Sequence, residues 1–298
     1  MTEPHVGGTY DQLLAFARWA EDSGLASFAR SDHYYSTREP TPDATDAFAT
    51  MAGLARDTER IRLCVLVAPV TFRHPAVVAK SAATIDQMSG GRLDLGVGTG
   101  WMEEEHTALG IPFPERSERF ARLQETLEYL AAAFTGEPAG FQGAYYSLDA
   151  TVRPAPNGVR IVVGGSGARL TPTLAGHYAD EYNLFLAPAD EIAPKVRVMR
   201  KAADGRRVAV SVMGPALVGR TDAEYSSRLE QAAAARGIPA EELEQRYRAA
   251  GIPVGGPERA GESVAALEQA GVDKWYLQWM DLDDLDSLAM TMEVVRGG

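Results

Sequence analysis

The sequence predicts an α/β fold, a parallel (β/α)8 barrel, and three observations predict it. Short β-branched apolar runs alternate with segments of helical periodicity, the runs are apolar on both faces, and helix start and stop residues fall between them. The runs lie at residues 25–29, 61–68, 93–97, 159–163, 182–186, 208–213 and 275–279. Between them apolar residues recur at i, i+3, i+4 and i+7, as in Leu13, Leu14, Phe16, Ala17 and Ala20, and again in Phe120, Leu123, Leu127, Leu130 and Phe134. Strands apolar on both faces, each separated from the next by a helix, imply a parallel sheet covered by helices. Asp43 and Ser117 stand where helices are expected to begin, and Gly24, Gly136 and Gly271 where they are expected to end.

Seven strands are visible, and an eighth closes the barrel only if it precedes the first helix. Residues 1–6 contain a proline and no long apolar run, so this first strand is expected to be shortened or missing, or the natural start to lie upstream. Residues 221–256 are the least barrel-like stretch and carry an extra helix at 240–250. No linker-like or low-complexity segment divides the chain, so residues 1–298 read as one domain.

Composition narrows the partners. The chain holds 29 Lys plus Arg against 41 Asp plus Glu, a formal charge of −12, and no cationic cluster. Phosphate-backbone and anionic-membrane binding both require such clusters, so neither nucleic acid nor membrane is expected. Cys64 is the single cysteine, which excludes an intrachain disulfide and a thiolate metal cluster and fits a small buried apolar role. The first residues carry neither a basic start nor an apolar stretch, which points to the cytoplasm. Trp19, Met51 and Met199 sit at helical spacing and read as core.

Three constellations carry chemistry. The first, Ser31-Asp32-His33-Tyr34-Tyr35, follows a strand directly, where parallel βα folds place their active sites. A histidine there titrates near neutrality and suits proton transfer, with Asp32 close enough to orient it; the plainer reading is a polar turn satisfying its own backbone. The second, Gly96-Val97-Gly98-Thr99-Gly100-Trp101, has Trp101 where a dinucleotide fingerprint needs its third glycine, which weakens a Rossmann reading. Its glycines still admit a flat ligand close to the backbone. In the third, Gly164-Gly165-Ser166-Gly167-Ala168-Arg169, a strand, a glycine-rich turn and a helix start combine free amides, a hydroxyl and a guanidinium, the ingredients of a phosphate cradle. A hydrolase nucleophile at Ser166 fails on order, since only His177 follows it and no acid lies between. Glu103-Glu104-Glu105-His106 lacks metal-ligand spacing and reads as an acidic helix face, so no metal is assigned.

Taken in order, these motifs resemble the bacterial luciferase-like monooxygenase superfamily, specifically its deazaflavin (coenzyme F420) oxidoreductase branch. Gly7-Gly8-Thr9-Tyr10, Ser31-Asp32-His33, Thr71-Phe72-Arg73-His74-Pro75-Ala76, Met88-Ser89-Gly90-Gly91-Arg92-Leu93, Gly98-Thr99-Gly100-Trp101, Ala108-Leu109-Gly110-Ile111-Pro112-Phe113 and Gly164-Gly165-Ser166-Gly167 carry the resemblance, which runs end to end. It implies a TIM barrel that transfers hydride between F420 and a small organic substrate. His33 is then expected near the reactive carbon and Asp32 on the coenzyme's polar side. A non-proline cis peptide between Val65 and Leu66 is expected behind the ring. Thr99 and Gly100 line the coenzyme, Gly164, Gly165, Ser166 and Gly167 take its phosphate with Arg169 as an added cation, and Tyr34, Trp101 and Trp279 shape an apolar substrate space. Sugar-phosphate dehydrogenases of this branch carry a glutamate general acid where this chain has Trp101, which disfavours a sugar-phosphate substrate. The alternatives are an FMN-dependent monooxygenase served by a separate reductase and a non-catalytic barrel that binds a flavin-like ligand. The resemblance also implies a homodimer.

Overall fold

The structure is a computed structural model and describes residues 1–36 and 42–297. A 3-10 turn at Pro4–Val6 leads into α1 (Tyr10–Asp22), which opens on a capping box: Thr9 accepts from the Gln12 amide and Gln12 answers the Thr9 amide. There follow β1 (Ser27–Arg30), α2 (Ala47–Asp57), β2 (Arg62–Pro69), α3 (Pro75–Ser89), β3 (Leu93–Gly98), α4 (Glu103–Leu109) and α5 (Arg116–Ala133). A small antiparallel hairpin, β4 (Ala139–Gln142) with β5 (Ser147–Ala150), precedes β6 (Arg160–Gly164), α6 (Leu170–Tyr178), β7 (Glu181–Phe185), α7 (Ala189–Ala203) and β8 (Ala209–Gly214). The final stretch holds β9 (Leu217–Val218), α8 (Asp222–Ala234), α9 (Ala240–Ala249), β10 (Val254–Gly255), α10 (Pro257–Gln269), β11 (Lys274–Leu277) and α11 (Leu285–Arg296).

Seven strands form one parallel sheet in the order β1-β2-β3-β6-β7-β8-β11, and these are the seven apolar runs of the sequence. Their alternation separates two cores. Outward residues such as Phe28, Leu63, Val65, Leu95, Val163, Leu184 and Val212 pack against Leu13, Phe16, Met51, Leu54, Val196 and Met199 of the helices. Inward residues Ala29, Cys64, Leu66, Val162, Met213 and Tyr276 fill the lumen with Met1. The free thiol of Cys64 is fully buried, and burial pushes it far up from the ordinary thiol range.

The eighth strand position is occupied by two residues. Met1 donates to the Leu277 carbonyl (2.9 Å) and accepts from the Trp279 amide (2.9 Å), while Thr2 donates to Ala29 (2.9 Å) and accepts from Ser31 (3.3 Å). Met1 and Thr2 thus join β11 to β1, and Pro4 turns the chain away into the 3-10 turn.

Two helix starts differ from expectation. The α2 cap is Asp46, which accepts from the Ala49 amide at 2.7 Å, because a parallel bridge between Gly8 and Ala44 keeps the chain extended past Asp43. Helix α5 begins before Ser117, its first turn closed by Arg119 donating to the Glu115 carbonyl at 3.0 Å. The extra helix is α9, which shares a separate small core with α8 through Tyr225, Leu229 and Leu243. Among the described residues no helix is long and apolar enough to cross a membrane.

Candidate active site

The C-terminal ends of the barrel strands open into a cavity of about 490 Å³. Its deepest wall is made by the close approach of three strands. A Cβ at Gly96 would stand 2.3 Å from the Val65 carbonyl oxygen, one at Gly98 would stand 2.8 Å from Val67 Cγ2, and one at Gly164 would stand 2.7 Å from Val67 Cγ1. Only glycine leaves room there for Val67. The pairing of β2 with β3 shifts register between Val65 and Ala68, and the peptide between Leu66 and Val67 is cis. The expected cis bond between Val65 and Leu66 is therefore corrected by one residue. Val65 points outward into the helix-covered core, whereas Leu66 and Val67 line the cavity beside Thr99, Gly100 and Trp101.

His33, at the end of β1, lines the same cavity. Its partner is not Asp32 but Glu105 of α4, whose Oε2 stands 2.8 Å from His33 Nδ1. The other oxygen of Glu105 accepts from the Tyr34 amide and, at 2.9 Å, from the Tyr35 amide. The Glu105 side chain is only 1% exposed. Burial works against the His33 imidazolium, yet the hydrogen bond and charge of Glu105, with Glu3 and Asp32 beyond, outweigh it and hold His33 above the usual histidine range. Burial likewise opposes ionisation of Glu105, and its bonds to His33 and to two amides overcome that and hold it below the usual carboxylate range. Glu3 sits opposite, accepting from Ser31 and, at 2.8 Å, from Gln278.

Asp32 is buried outside the cavity, clamped by both arms of Arg73, and Arg73 also reaches Asp46 at 2.7 Å. Tyr34 stacks on Phe72 with ring centroids 5.2 Å apart and donates to Asp46 at 2.9 Å, so it too lies outside. Trp279 packs against the outer core rather than lining the mouth. Trp101 does line the mouth, 64% exposed and edge-on to His33 at 5.8 Å, with Phe185 and Met213 completing an apolar rim.

The turn between β6 and α6 brings Gly164, Gly165, Ser166 and Gly167 to the opposite wall. The Gly165 amide is spent on the Asn183 carbonyl at 3.0 Å, and Ser166 Oγ accepts from the Phe185 amide at 3.2 Å. The amides of Ser166, Gly167 and Ala168 have no acceptor among the described residues, and they sit just ahead of a nine-residue helix without a side-chain cap. Arg169 is exposed at that cap and does not line the cavity.

Several lining residues were not signalled by the sequence. Thr171, buried in the first turn of α6, offers a hydroxyl without a hydrogen-bond partner among the described residues. Arg116 and Arg119 of α5 line the cavity without any carboxylate partner among the described residues, Arg119 lying flat over Phe113 at 3.9 Å. Glu105 was read as part of a solvated acidic face, and nothing local distinguishes it from Glu103 and Glu104; the turn of α4 that faces His33 does. His106 is also buried, donating from Nδ1 to the Met102 carbonyl and accepting from Thr71 at Nε2, both at 2.7 Å, which ties the glycine-rich turn after β3 to β2.

The profile described as luciferase-like monooxygenase matches residues 1–251. The F420-dependent glucose-6-phosphate dehydrogenase of Microbacterium testaceum (strain StLB037) is 39% identical over 175 residues, 58% of this chain and 52% of that protein. The chain spans about half the length of the curated relatives it matches. Among solved structures, an F420-dependent secondary alcohol dehydrogenase in complex with an F420-acetone adduct superposes with a TM-score of 0.80 at 19% identity, covering 100% of this chain and 98% of that one. The coenzyme F420-dependent tetrahydromethanopterin reductase from Methanopyrus kandleri gives 0.72 at 19% identity, covering 93% and 92%. These likenesses establish the shared barrel.

Proposed function

The chain belongs to the luciferase-like monooxygenase family, and from that premise we propose that it binds the deazaflavin coenzyme F420 at the barrel mouth and exchanges a hydride with a small, weakly polar organic substrate. The observation that carries this reading is the convergence, in one cavity, of His33, the glycine-flattened wall at Val67 and the free-amide turn at 164–167. F420, when bound, supplies the hydride-carrying ring.

The residues present fit such a group. A planar ring needs a closely packed apolar wall, and Val67, seated between Gly98 and Gly164, gives one. A phosphate needs unspent donors, and the Ser166 and Gly167 amides with the Thr171 hydroxyl supply them at the start of α6. The guanidiniums of Arg116 and Arg119, without a carboxylate partner among the described residues, add positive potential to a chain of net charge −12. The curated relatives named F420-dependent glucose-6-phosphate dehydrogenase support the coenzyme. The rim argues for a different substrate from theirs: Trp101, Phe185 and Met213 present apolar surface there.

Titration of the purified protein with F420 and, separately, FMN, followed by fluorescence quenching, tests the coenzyme. Saturable binding of F420 in preference to FMN is expected, and preference for FMN would turn the reading toward an oxygen-activating monooxygenase. A panel of secondary alcohols, ketones and glucose-6-phosphate, followed by the absorbance of oxidised F420, then tests the substrate. Turnover of the sugar phosphate alone would refute the apolar assignment, and tight binding without turnover of any compound would leave a binding protein.

A further inference from the structure

Two histidines at the mouth, the half-buried His33 and the buried His106, have different capacities because of their hydrogen bonds. His106 spends both ring nitrogens on protein groups, Met102 O and Thr71 Oγ1, and has nothing left to offer a ligand. His33 spends only Nδ1, and it spends it on a carboxylate. Its Nε2 has no partner among the described residues and belongs to a ring that lines the cavity.

We propose that Glu105 is the positioning residue that makes His33 a proton donor toward the substrate, a role that rests on the hydride-transfer reading above. A carboxylate only accepts, so the Glu105 bond fixes a proton on Nδ1 and leaves Nε2 as the nitrogen that gives or takes the second one. Glu105 cannot swing away, because its other oxygen is held by the Tyr34 and Tyr35 amides, the two residues that follow His33. The ring and its carboxylate are therefore locked to the same loop.

The charges around the ring favour the imidazolium. Glu105 faces it from α4, Glu3 and the His5 ring approach from the N-terminal segment, and Asp32 stands behind it with its charge matched by Arg73. Trp101 supplies an uncharged edge. When a carbonyl carbon gains a hydride, the new C–H bond takes the hydride's electron pair and the C=O π pair moves to oxygen. That oxygen takes the proton from Nε2, and neutral His33 recovers one from solvent; alcohol oxidation runs the same transfers backwards.

The test is Glu105→Gln. The carboxamide oxygen keeps both amide bonds, while its NH2 faces Nδ1 and forces the ring into the neutral tautomer protonated at Nε2. In coenzyme-free protein, the His33 titration followed by imidazole NMR is expected to move to lower pH. With the coenzyme, its dissociation constant should hold within ~2-fold while hydride transfer at neutral pH falls ~10-fold or more and its pH profile moves acidward. An unshifted His33 titration, or a shifted titration with an unchanged rate profile, overturns the proposal. Should Glu105→Gln fail to fold, the unsubstituted protein decides: His33 titrating below a free histidine peptide refutes the role, and titrating above it supports it. The NMR arm needs no coenzyme, so it still reports on Glu105 if F420 proves not to be the ligand.

Discussion

The two ends of the barrel lumen use buried charge in opposite ways. At the floor, Asp94 and Glu181 are both fully buried and both paired with cations from other strands of the sheet. Arg62 reaches Asp94 at 2.7 Å, Arg160 lies 3.2 Å from Asp94 and from Glu181, and Lys274 lies 3.4 Å from Glu181. At the mouth, Glu105 neutralises one edge of His33 and leaves the other open, and Arg116 and Arg119 line the cavity with no carboxylate partner among the described residues. Charges that compensate one another organise the sheet, whereas charges left half-compensated are available to a ligand. A chain of hydrogen bonds joins the two ends, from cavity-lining Asn183 to Ser211 (2.8 Å) and from Ser211 to Glu181 (2.6 Å).

The sharpest way to break this contrast is at the floor. Asp94→Ala leaves two guanidiniums without their shared carboxylate and should cost about 3 kcal/mol, the lower end for a broken buried pair because Arg62 and Arg160 keep some solvent. Urea denaturation measures it, and coenzyme affinity should be unchanged; a loss below ~0.5 kcal/mol would mean the floor pairs do not hold the sheet. At the mouth the pattern inverts. His33→Ala should lower the hydride-transfer rate ~10²-fold, equivalent to about 2.7 kcal/mol, with coenzyme binding largely intact, as single-turnover kinetics would read. Unchanged turnover would remove His33 from the chemistry.

A smaller effect is expected at the cradle. The added methyl of Gly167→Ala comes within 3.1 Å of Thr171 Oγ1 and crowds the free amides, so coenzyme affinity should fall ~10-fold, about 1.4 kcal/mol, in the same fluorescence titration. The smallest expected effect is on stability against pH. His33 is raised in the folded state, so its contribution is fully present below its unfolded value of 6.5 and is lost as pH rises through the folded one. Glu105 is lowered, so its contribution is present above 4.5 and is lost as pH falls through its folded value. The melting temperature of the unsubstituted protein should therefore exceed that of Glu105→Gln most between pH 4.5 and 6.5, with the gap closing on the alkaline side. A gap that widens with alkali would show that Glu105 serves only as a loop clamp.

Much of the barrel was legible because strand and helix patterns are local. Every expected strand pairs in the parallel sheet, the helix at 240–250 formed, and the glycines at 96, 98 and 164 stand where backbones meet. The site was legible only in outline. His33 and the 164–167 turn reach one cavity, but Asp32, the obvious neighbour, turned to Arg73, which lies 41 residues away in sequence. The cis peptide lies one residue later than expected, where the β2–β3 register shifts, and neither is visible in composition.

Periodicity and glycine placement, which act over a few residues, were enough to determine the alternating elements, the parallel sheet and the strand ends where chemistry collects. Which carboxylate would meet His33 was decided only by the tertiary structure. Glu103, Glu104 and Glu105 are identical in local chemistry, and only the packing of α4 against a loop about seventy residues earlier turns the third of them inward, away from water and onto the ring.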